Sequence, residues 1–425
     1  MPGSGEHEHV MESTLLKDLA ARGLVADLTH AAELDQHLTA GARTVYCGFD
    51  PTADSLHVGS LLPLLALRRV QLHGHRPIVL IGGGTGLIGD PSGKAGERAL
   101  NPEDQVAAWA QRLKRQVARF VDFEGPRAAR LLDNYDWLSR LDVIGFLRDL
   151  GKEFPIGAML GKEAVKSRLG SAGSGLSFTE FSYQILQAYD FLVLCRDHGC
   201  TVQIGGSDQW GNITAGMDLI RRKLGVAAYG LTLPLVTKAD GTKFGKTETG
   251  TVWLEPEKTS PYDLYQFWIN TADADVVPFL KYFTFLVLEE IADLEAAVRR
   301  APEKREAQRV LALEVTRLVH GEEAMHQAEH DSQKAFSGDI GAILGDDGGA
   351  VPGAVLPATE SPRPVWRVLK EAQIVSSASE ARRLIQQGGV EVNRQRVADV
   401  NDVLPAGRYV IKVGKRRVHR VIIEP

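Results

Sequence analysis

Two short stretches of the chain hold residue types suited to work on a phosphate chain. In the block 46–60, Tyr-Cys-Gly-Phe-Asp-Pro-Thr-Ala-Asp-Ser-Leu-His-Val-Gly-Ser, His57 and Gly59 fall where a strand and turn hand over to a helix. Free backbone N–H groups and the helix dipole favour phosphate at such a start. Gly59, lacking a side chain, would let a flat ring approach the backbone. Far downstream, Lys243-Phe244-Gly245-Lys246-Thr247 sets two lysines three apart on a glycine-containing loop. Such a loop can bring cations over a polyphosphate as charge develops on it. A lone histidine at a helix start is more often a cap, and loop lysines are more often solvated. It is the fifteen-residue context that turns the pair into a signal.

Two familiar phosphate motifs are nearly present and are discounted. Gly84-Thr85-Gly86-Leu87-Ile88-Gly89 fits the dinucleotide fingerprint, but it runs into Asp90-Pro91-Ser92-Gly93-Lys94, which breaks a helix rather than opening one. The stretch 241–247 is one residue short of a P-loop, and Thr-Glu-Thr-Gly over 247–250 follows instead of a helix. Cys195 and Cys200 with His198 lack a fourth ligand at useful spacing for zinc, so no metal site is expected and these cysteines read as packed residues.

The elements that must position these residues follow from periodicity. Residues 44–49 and 77–81 read as strands with a helix over 57–72 between them, a βαβ unit and hence a parallel sheet in an α/β domain. Helices are expected over 13–40, 102–122 and 178–196, and a strand over 201–204. On the helix 178–196, Tyr183, Gln187 and Asp190 stand at i, i+4 and i+7, one face, where Asp190 suits a plain core poorly. After Thr247 the texture turns helical, over 262–272, 274–298 and 302–330. Residues 336–360 are rich in Gly, Pro, Ala and Asp and read as a linker; beyond them a helix over 377–387 and strands over 390–397 and 408–413 are expected.

Composition bounds the partners. With 44% apolar and 24% charged residues, bulk disorder is excluded. No apolar run reaches the ~18–20 residues of a membrane span, so no membrane partner is expected. The polar N-terminal segment reads as neither signal peptide nor folded element, and three cysteines favour a reducing cytosol. A net charge of −5 speaks against nucleic acid, but it is an average. Residues 361–425 hold thirteen Lys or Arg against six Asp or Glu, while the rest of the chain holds 36 against 48. A basic segment appended to an acidic body points to a nucleic-acid-binding module.

Taken together and in order, the blocks 46–60, 82–94, 134–138, 181–190, 203–212 and 243–247 resemble class I aminoacyl-tRNA synthetases, and among them the bacterial-type tyrosyl-tRNA synthetase family, over the chain from residue 12 onward. One departure is Ser60, where the general class pattern has a second histidine. The resemblance implies a disordered tail (1–11), a Rossmann-like parallel-sheet catalytic domain (12–247), an α-helical anticodon-binding domain (248–335), the linker (336–360) and a small α+β S4-type RNA-binding domain (361–425). It implies activation of L-tyrosine by ATP, with Mg²⁺ accompanying the nucleotide, then transfer of the tyrosyl group to the 3′ end of tRNA(Tyr), by a cytoplasmic homodimer. The tyrosine carboxylate is already a nucleophile, so the first step needs alignment and charge stabilisation rather than a general base.

The resemblance also implies roles for individual residues. Tyr46 and Asp190 would take the phenol hydroxyl, Asp90, Tyr183 and Gln187 the ammonium group, with Gln203 and Asn134 supporting the tyrosine pocket. Gly48, Asp50, Gly59, Ser60, Gly205, Asp208, Gln209 and Lys246 would contact the nucleotide or adenylate. Thr52, His57, Lys243, Lys246 and Thr247 would stabilise the pentacoordinate phosphate, joined by Lys94 and Arg98 from a mobile loop. Arg382, Arg383, Arg394, Arg396, Lys415, Arg416 and Arg417 would meet RNA phosphates. Two other functions remain open: a non-catalytic RNA-binding protein on the same scaffold, and a related ligase for tryptophan, whose indole Asp190 and Tyr46 suit less well than a phenol.

Overall fold

The computed structural model describes residues 11–92, 100–162, 165–166, 175–239, 241, 244–247, 250–337, 353–357, 362–414 and 417–424, with the side chains of 246, 247, 335–337 and 417 left out. Lys94, Arg98, Lys243, Lys415 and Arg416 therefore lie outside the described residues. The chain divides into two compact units, one of residues 1–244 with 281–283 and the other of residues 245–280 with 284–425.

The first unit is built on a six-stranded sheet of β1 (Asp27–Leu28), β2 (Thr44–Phe49), β3 (Arg76–Ile81), β4 (Arg130–Asp133), β5 (Cys200–Gly206) and β6 (Tyr229–Leu233), in the spatial order β1-β6-β5-β2-β3-β4. All neighbours are parallel except the edge pair β1–β6. β3 is a continuous buried run from Pro77 to Ile81, as expected of a strand covered on both faces. The order of the parallel strands reverses between β2 and β5, and in such sheets ligands sit outside the carboxyl ends at that point.

Among the described residues the unit also holds helices α1 (Thr14–Ala21), α2 (Ala31–Thr39), α3 (Leu61–Leu72), α4 (Glu103–Val117), α5 (Tyr135–Leu138), α6 (Phe178–His198) and α7 (Trp210–Leu224), with short helical turns over 143–160. The single helix expected over 13–40 is two helices: Gly23, at φ +73°, stops α1, and Asp27–Leu28 leaves to pair with β6. The helix expected from 57 begins at Leu61, after a 3₁₀ turn over Val58–Ser60. α6 starts where the Ser177 hydroxyl accepts the Glu180 N–H at 3.2 Å and stops at Gly199, φ +61°. Its residues Phe191, Ala188 and Leu194 are fully buried in one core with Tyr46 and Ile78, and the Phe191 ring lies 5.2 Å from that of Tyr46.

After residue 244 an antiparallel pair of β7 (Lys246–Thr247) and β8 (Gly250–Thr251) precedes α8 (Pro261–Ile269), α9 (Asp273–Phe283), α10 (Leu288–Arg300), α11 (Glu306–His320) and α12 (Glu322–Ser337), all in the second unit but for the last three residues of α9. The stretch 274–298 is thus two helices, and so is 302–330, divided at Gly321 (φ +88°).

The C-terminal part holds β9 (Gly353–Leu356), α13 (Val365–Glu371), α14 (Ala378–Gln386), β10 (Val390–Val392), β11 (Gln395–Arg396), β12 (Gly407–Val413) and β13 (Arg417–Ile423), with the five strands in the order β11-β10-β12-β13-β9. The stretch 390–397 is a tight hairpin, because Asn393 and Arg394 both take positive φ at its tip. Residues 353–356, read as linker, are a strand: they pair in parallel with β13 and bury Leu356 to 5% exposure in the core of the sheet. A four-residue strand leaves almost no periodicity to read; its neighbour β13, in turn, was hidden by its Arg-Val-His-Arg opening.

Candidate active site

At the centre of the sheet, Tyr46 on β2 pairs in register with Gln203 on β5, so their side chains share a face. Both are buried, at 1% and 3% exposure, and the Tyr46 hydroxyl and the Gln203 Oε1 have no hydrogen-bond partner among the described residues. Beside them lies the Asp190 carboxylate, itself 2% exposed. It accepts hydrogen bonds from Asn134 Nδ2 at 2.9 Å and from Trp137 Nε1 at 2.7 Å. Asp190 therefore has two partners within the protein, and the groups left waiting for one are Tyr46 and Gln203. Buried polar atoms without partners cost about 1–3 kcal/mol each, so a site that keeps two of them is shaped for a polar guest.

Trp137 is a functional candidate that the sequence reading did not single out. Asn134 and Trp137 stand three residues apart on the α5 turn, the spacing that turns two donors to one side. Asn134 is tied in further. Its Nδ2 also donates to Thr85 Oγ1 at 2.9 Å, and Thr85 Oγ1 donates to Asp50 Oδ1 at 2.7 Å. Glycines make this crossing possible: a Cβ on Gly82 would sit 1.9 Å from Asp50 Oδ1, and one on Gly83 2.3 Å from Asp133 Oδ1. The glycines that imitate a dinucleotide fingerprint have their own local reasons: a Cβ on Gly84 would sit 2.9 Å from Leu138, one on Gly86 2.9 Å from Pro51, and Gly89 takes φ +88°. Thr85–Leu87 forms a 3₁₀ turn, not a helix.

The other expected pocket residues are hydrogen-bonded to one another and to neighbouring side chains. The Tyr183 hydroxyl donates to Asp50 Oδ2 at 2.7 Å, so Asp50 faces Tyr183 and Thr85. Asp90 accepts from Gln209 Nε2 at 2.7 Å and from the Ser92 N–H at 2.9 Å. Gln187 accepts from Asn212 Nδ2 at 2.9 Å, and the same nitrogen lies 3.2 Å from Gln209 Oε1. Burial, then the charges of Asp50, Asp90 and Asp190, push the Tyr183 phenol well above its usual range. Burial and then Asp90 raise Asp208. Carboxylates that disfavour further negative charge make a place suited to a cation.

The outer end of the site is more open. Thr52 and His57 are exposed, and a Cβ on Gly48 would point into open space. His57 Nδ1 accepts the Gly59 N–H at 3.0 Å, which occupies one backbone donor that the sequence reading left for phosphate. A Cβ on Gly59 would meet His57 Cε1 at 2.7 Å, so the flat ring lying against Gly59 is that histidine's own. Ser60 donates its N–H to His57 O at 2.8 Å, and a Cβ on Gly205 would press on Gln209 at 3.0 Å. Cys47, between Tyr46 and Gly48, is buried, and burial pushes its thiol up to about 12. A cavity of about 550 Å³ adjoins Asp208, lined also by Lys162, Phe181, Trp210 and Asn212.

Of the expected phosphate-binding residues on the C-terminal module, Arg382, Arg383, Arg394 and Arg396 are exposed. The Arg382 guanidinium stacks 4.0 Å from the Trp366 ring. Arg394 sits at the hairpin tip in the left-handed region, φ +68°.

Asp190 yields a test that needs no substrate. Burial raises its carboxyl from 3.8 to about 8, against the lowering effect of the Asn134 and Trp137 hydrogen bonds. Between those pH values the folded chain holds a proton that the unfolded chain has lost, so this residue's contribution to stability falls as pH rises. Ligand-free Asp190→Asn should therefore gain melting temperature relative to the parent between pH 5 and pH 8. A difference independent of pH would show that Asp190 is not the titrating group.

A Rossmann-order sheet with polar side chains gathered at its switch point, joined to helices and a small C-terminal sheet, defines a class I aminoacyl-tRNA synthetase. The chain matches the family of tRNA synthetases class I (W and Y) over residues 39–337 and belongs to it. Residues 365–408 match the S4 domain. Among its relatives, the tyrosine–tRNA ligase of Aliivibrio fischeri (strain MJ11) is 53% identical over 412 residues, 95% of this chain and 97% of the relative. That of Geobacillus stearothermophilus is 54% identical over 419 residues, 96% and 99% of the two chains. The solved structure of a C-terminally truncated mitochondrial tyrosyl-tRNA synthetase from Aspergillus nidulans is 30% identical, with a TM-score of 0.69, covering 76% of this chain and 95% of that one.

Proposed function

We propose that this chain is a tyrosine–tRNA ligase, which joins L-tyrosine to ATP as tyrosyl-adenylate, releases pyrophosphate, and passes the tyrosyl group to the 3′ end of tRNA(Tyr). The observation that carries this reading is the unpartnered Tyr46 hydroxyl and Gln203 Oε1 beside the buried Asp190 carboxylate, a polar end for a phenol in an otherwise apolar core. Tyr46 and Asp190 take the phenol hydroxyl, with Asn134, Trp137 and Gln203 holding or supplementing that pair. The carboxylate-rich end with Asp90, Tyr183 and Gln187 takes the ammonium group, which leaves the substrate carboxylate directed toward the open end.

There Gly48, Asp50, Gly59, Ser60, Gly205, Asp208 and Gln209 border the nucleotide. Thr52, His57, Lys243, Lys246 and Thr247, with Lys94 and Arg98, stabilise the charge that develops on the α-phosphate and the departing pyrophosphate. Mg²⁺ enters as the counter-ion of the ATP substrate. Tyrosine-dependent exchange of labelled pyrophosphate into ATP tests the reading; its absence with all other components present would overturn it.

Lys246→Ala should lower the rate of activation by roughly 10²–10³-fold, as loss of one transition-state donor does, while tyrosine affinity measured by equilibrium dialysis hardly changes. A large loss of tyrosine binding would count against this role. The exposed apolar residues Val143, Ile144, Leu147, Ile156 and Phe178 support assembly as a homodimer. Arg382, Arg383, Arg394, Arg396, Lys415, Arg416 and Arg417 serve the tRNA backbone. Three free, buried cysteines suit a reducing cytosol.

A further inference from the structure

His57 sits on a loop, and loops hold a side chain steadily only where something fixes their backbone. The residue that does so here is Gln116 on α4, sixty positions away from the loop it holds. Its carboxamide is 5% exposed and lies against the residues just before His57. Gln116 Oε1 accepts the Leu56 N–H at 2.9 Å, and Gln116 Nε2 donates to Ser55 Oγ at 3.0 Å. The Ser55 hydroxyl in turn donates to Leu56 O at 2.8 Å. One side chain thus binds the Leu56 N–H and the Ser55 hydroxyl in the turn just before His57, in a buried place where no water competes. Four residues earlier on α4, Arg112 meets Asp54 at 3.2 Å, but Arg112 is exposed and Asp54 only half-buried, and such a solvent-screened pair contributes little.

We infer that Gln116 is a positioning residue for the activation step, acting through the Ser55 hydroxyl and the Leu56 backbone on the place of the His57 imidazole. The inference rests on the role given to His57 above. With an apolar side chain at 116, the Leu56 N–H is left buried without a partner, and the loop relieves that cost by shifting. Misplacement by about 1 Å of a group that serves only the transition state can cost ~10²-fold in rate and leaves ground-state binding untouched.

The test is pyrophosphate exchange by the full chain at saturating ATP, for the parent, Gln116→Leu, His57→Ala and the double variant. Gln116→Leu should lower kcat by roughly 10–100-fold with the tyrosine KM within about twofold. In the His57→Ala background the same change should cost less than about threefold, because the group it positions is gone. Gln116→Glu, which keeps an acceptor for the Leu56 N–H, should restore most of kcat. If Gln116→Leu does not fold, Ser55→Ala provides the same split in milder form.

An unchanged kcat, an equal loss in both backgrounds, or a tyrosine KM that rises in step would overturn the inference. If His57→Ala alone leaves kcat intact, the underlying role of His57 falls first, a result distinguishable from failure at Gln116.

Discussion

Phenylalanine should support pyrophosphate exchange with a kcat/KM roughly 10⁴–10⁵-fold below that of tyrosine, the discrimination for which tyrosyl-tRNA synthetases are the known example. The magnitude is that established for such enzymes; its cause is visible in this pocket. Phenylalanine has the shape to enter but brings no hydroxyl, so the Tyr46 O–H and Gln203 Oε1 stay unpartnered at 1% and 3% exposure. Asp190 remains with its two internal donors and gains no third. Tyr46→Phe removes one neutral donor and should relax the discrimination by only about 3–10-fold. Discrimination below ~10²-fold in the parent, the level a purely apolar pocket reaches, would contradict this account of the pocket.

A chain ending at residue 337 should form tyrosyl-adenylate at an undiminished rate and charge tRNA with a kcat/KM lower by on the order of 10²-fold or more, through loss of phosphate contacts. The place of the cut matters. Ending the chain at 360 would keep β9 without β13, whose backbone it pairs along residues 353–356, and would leave an unpaired strand edge prone to association. Cutting after α12 avoids this. Single-turnover activation and aminoacylation measured on the same preparation separate the two effects. Equal losses in both would show that the C-terminal module serves the first step as well.

What could be read from sequence, and what could not, divides by distance along the chain. Tyr183, Gln187 and Asp190 were legible as one face because helical spacing is local, and α6 carries all three. Their partners were not. Asp50 is 133 residues from Tyr183, and Asn134 is 56 from Asp190, so only the folded sheet brings them together. Gln116 on α4 gives no signal in sequence at all, being one glutamine among many polar residues on an amphipathic helix.

The strand–helix–strand pattern of 44–81 announced the parallel sheet because every element had ordinary length and composition. The elements misread were those where one residue overrules a pattern. Gly23 interrupts a leucine periodicity that otherwise runs on. The basic residues of β13 masked alternation on a strand whose Val421 and Ile423 are buried. Ser60, the departure from the class pattern, takes no part in the side-chain network described, and its backbone closes the turn at His57.

The most direct test of the whole account is aminoacylation of unfractionated tRNA by the full chain, run with each proteinogenic amino acid in turn and followed by hydrolysis of the charged RNA. The account predicts ATP-dependent ester formation with tyrosine alone. Stable RNA binding without any charging, or charging with tryptophan in preference to tyrosine, would contradict it.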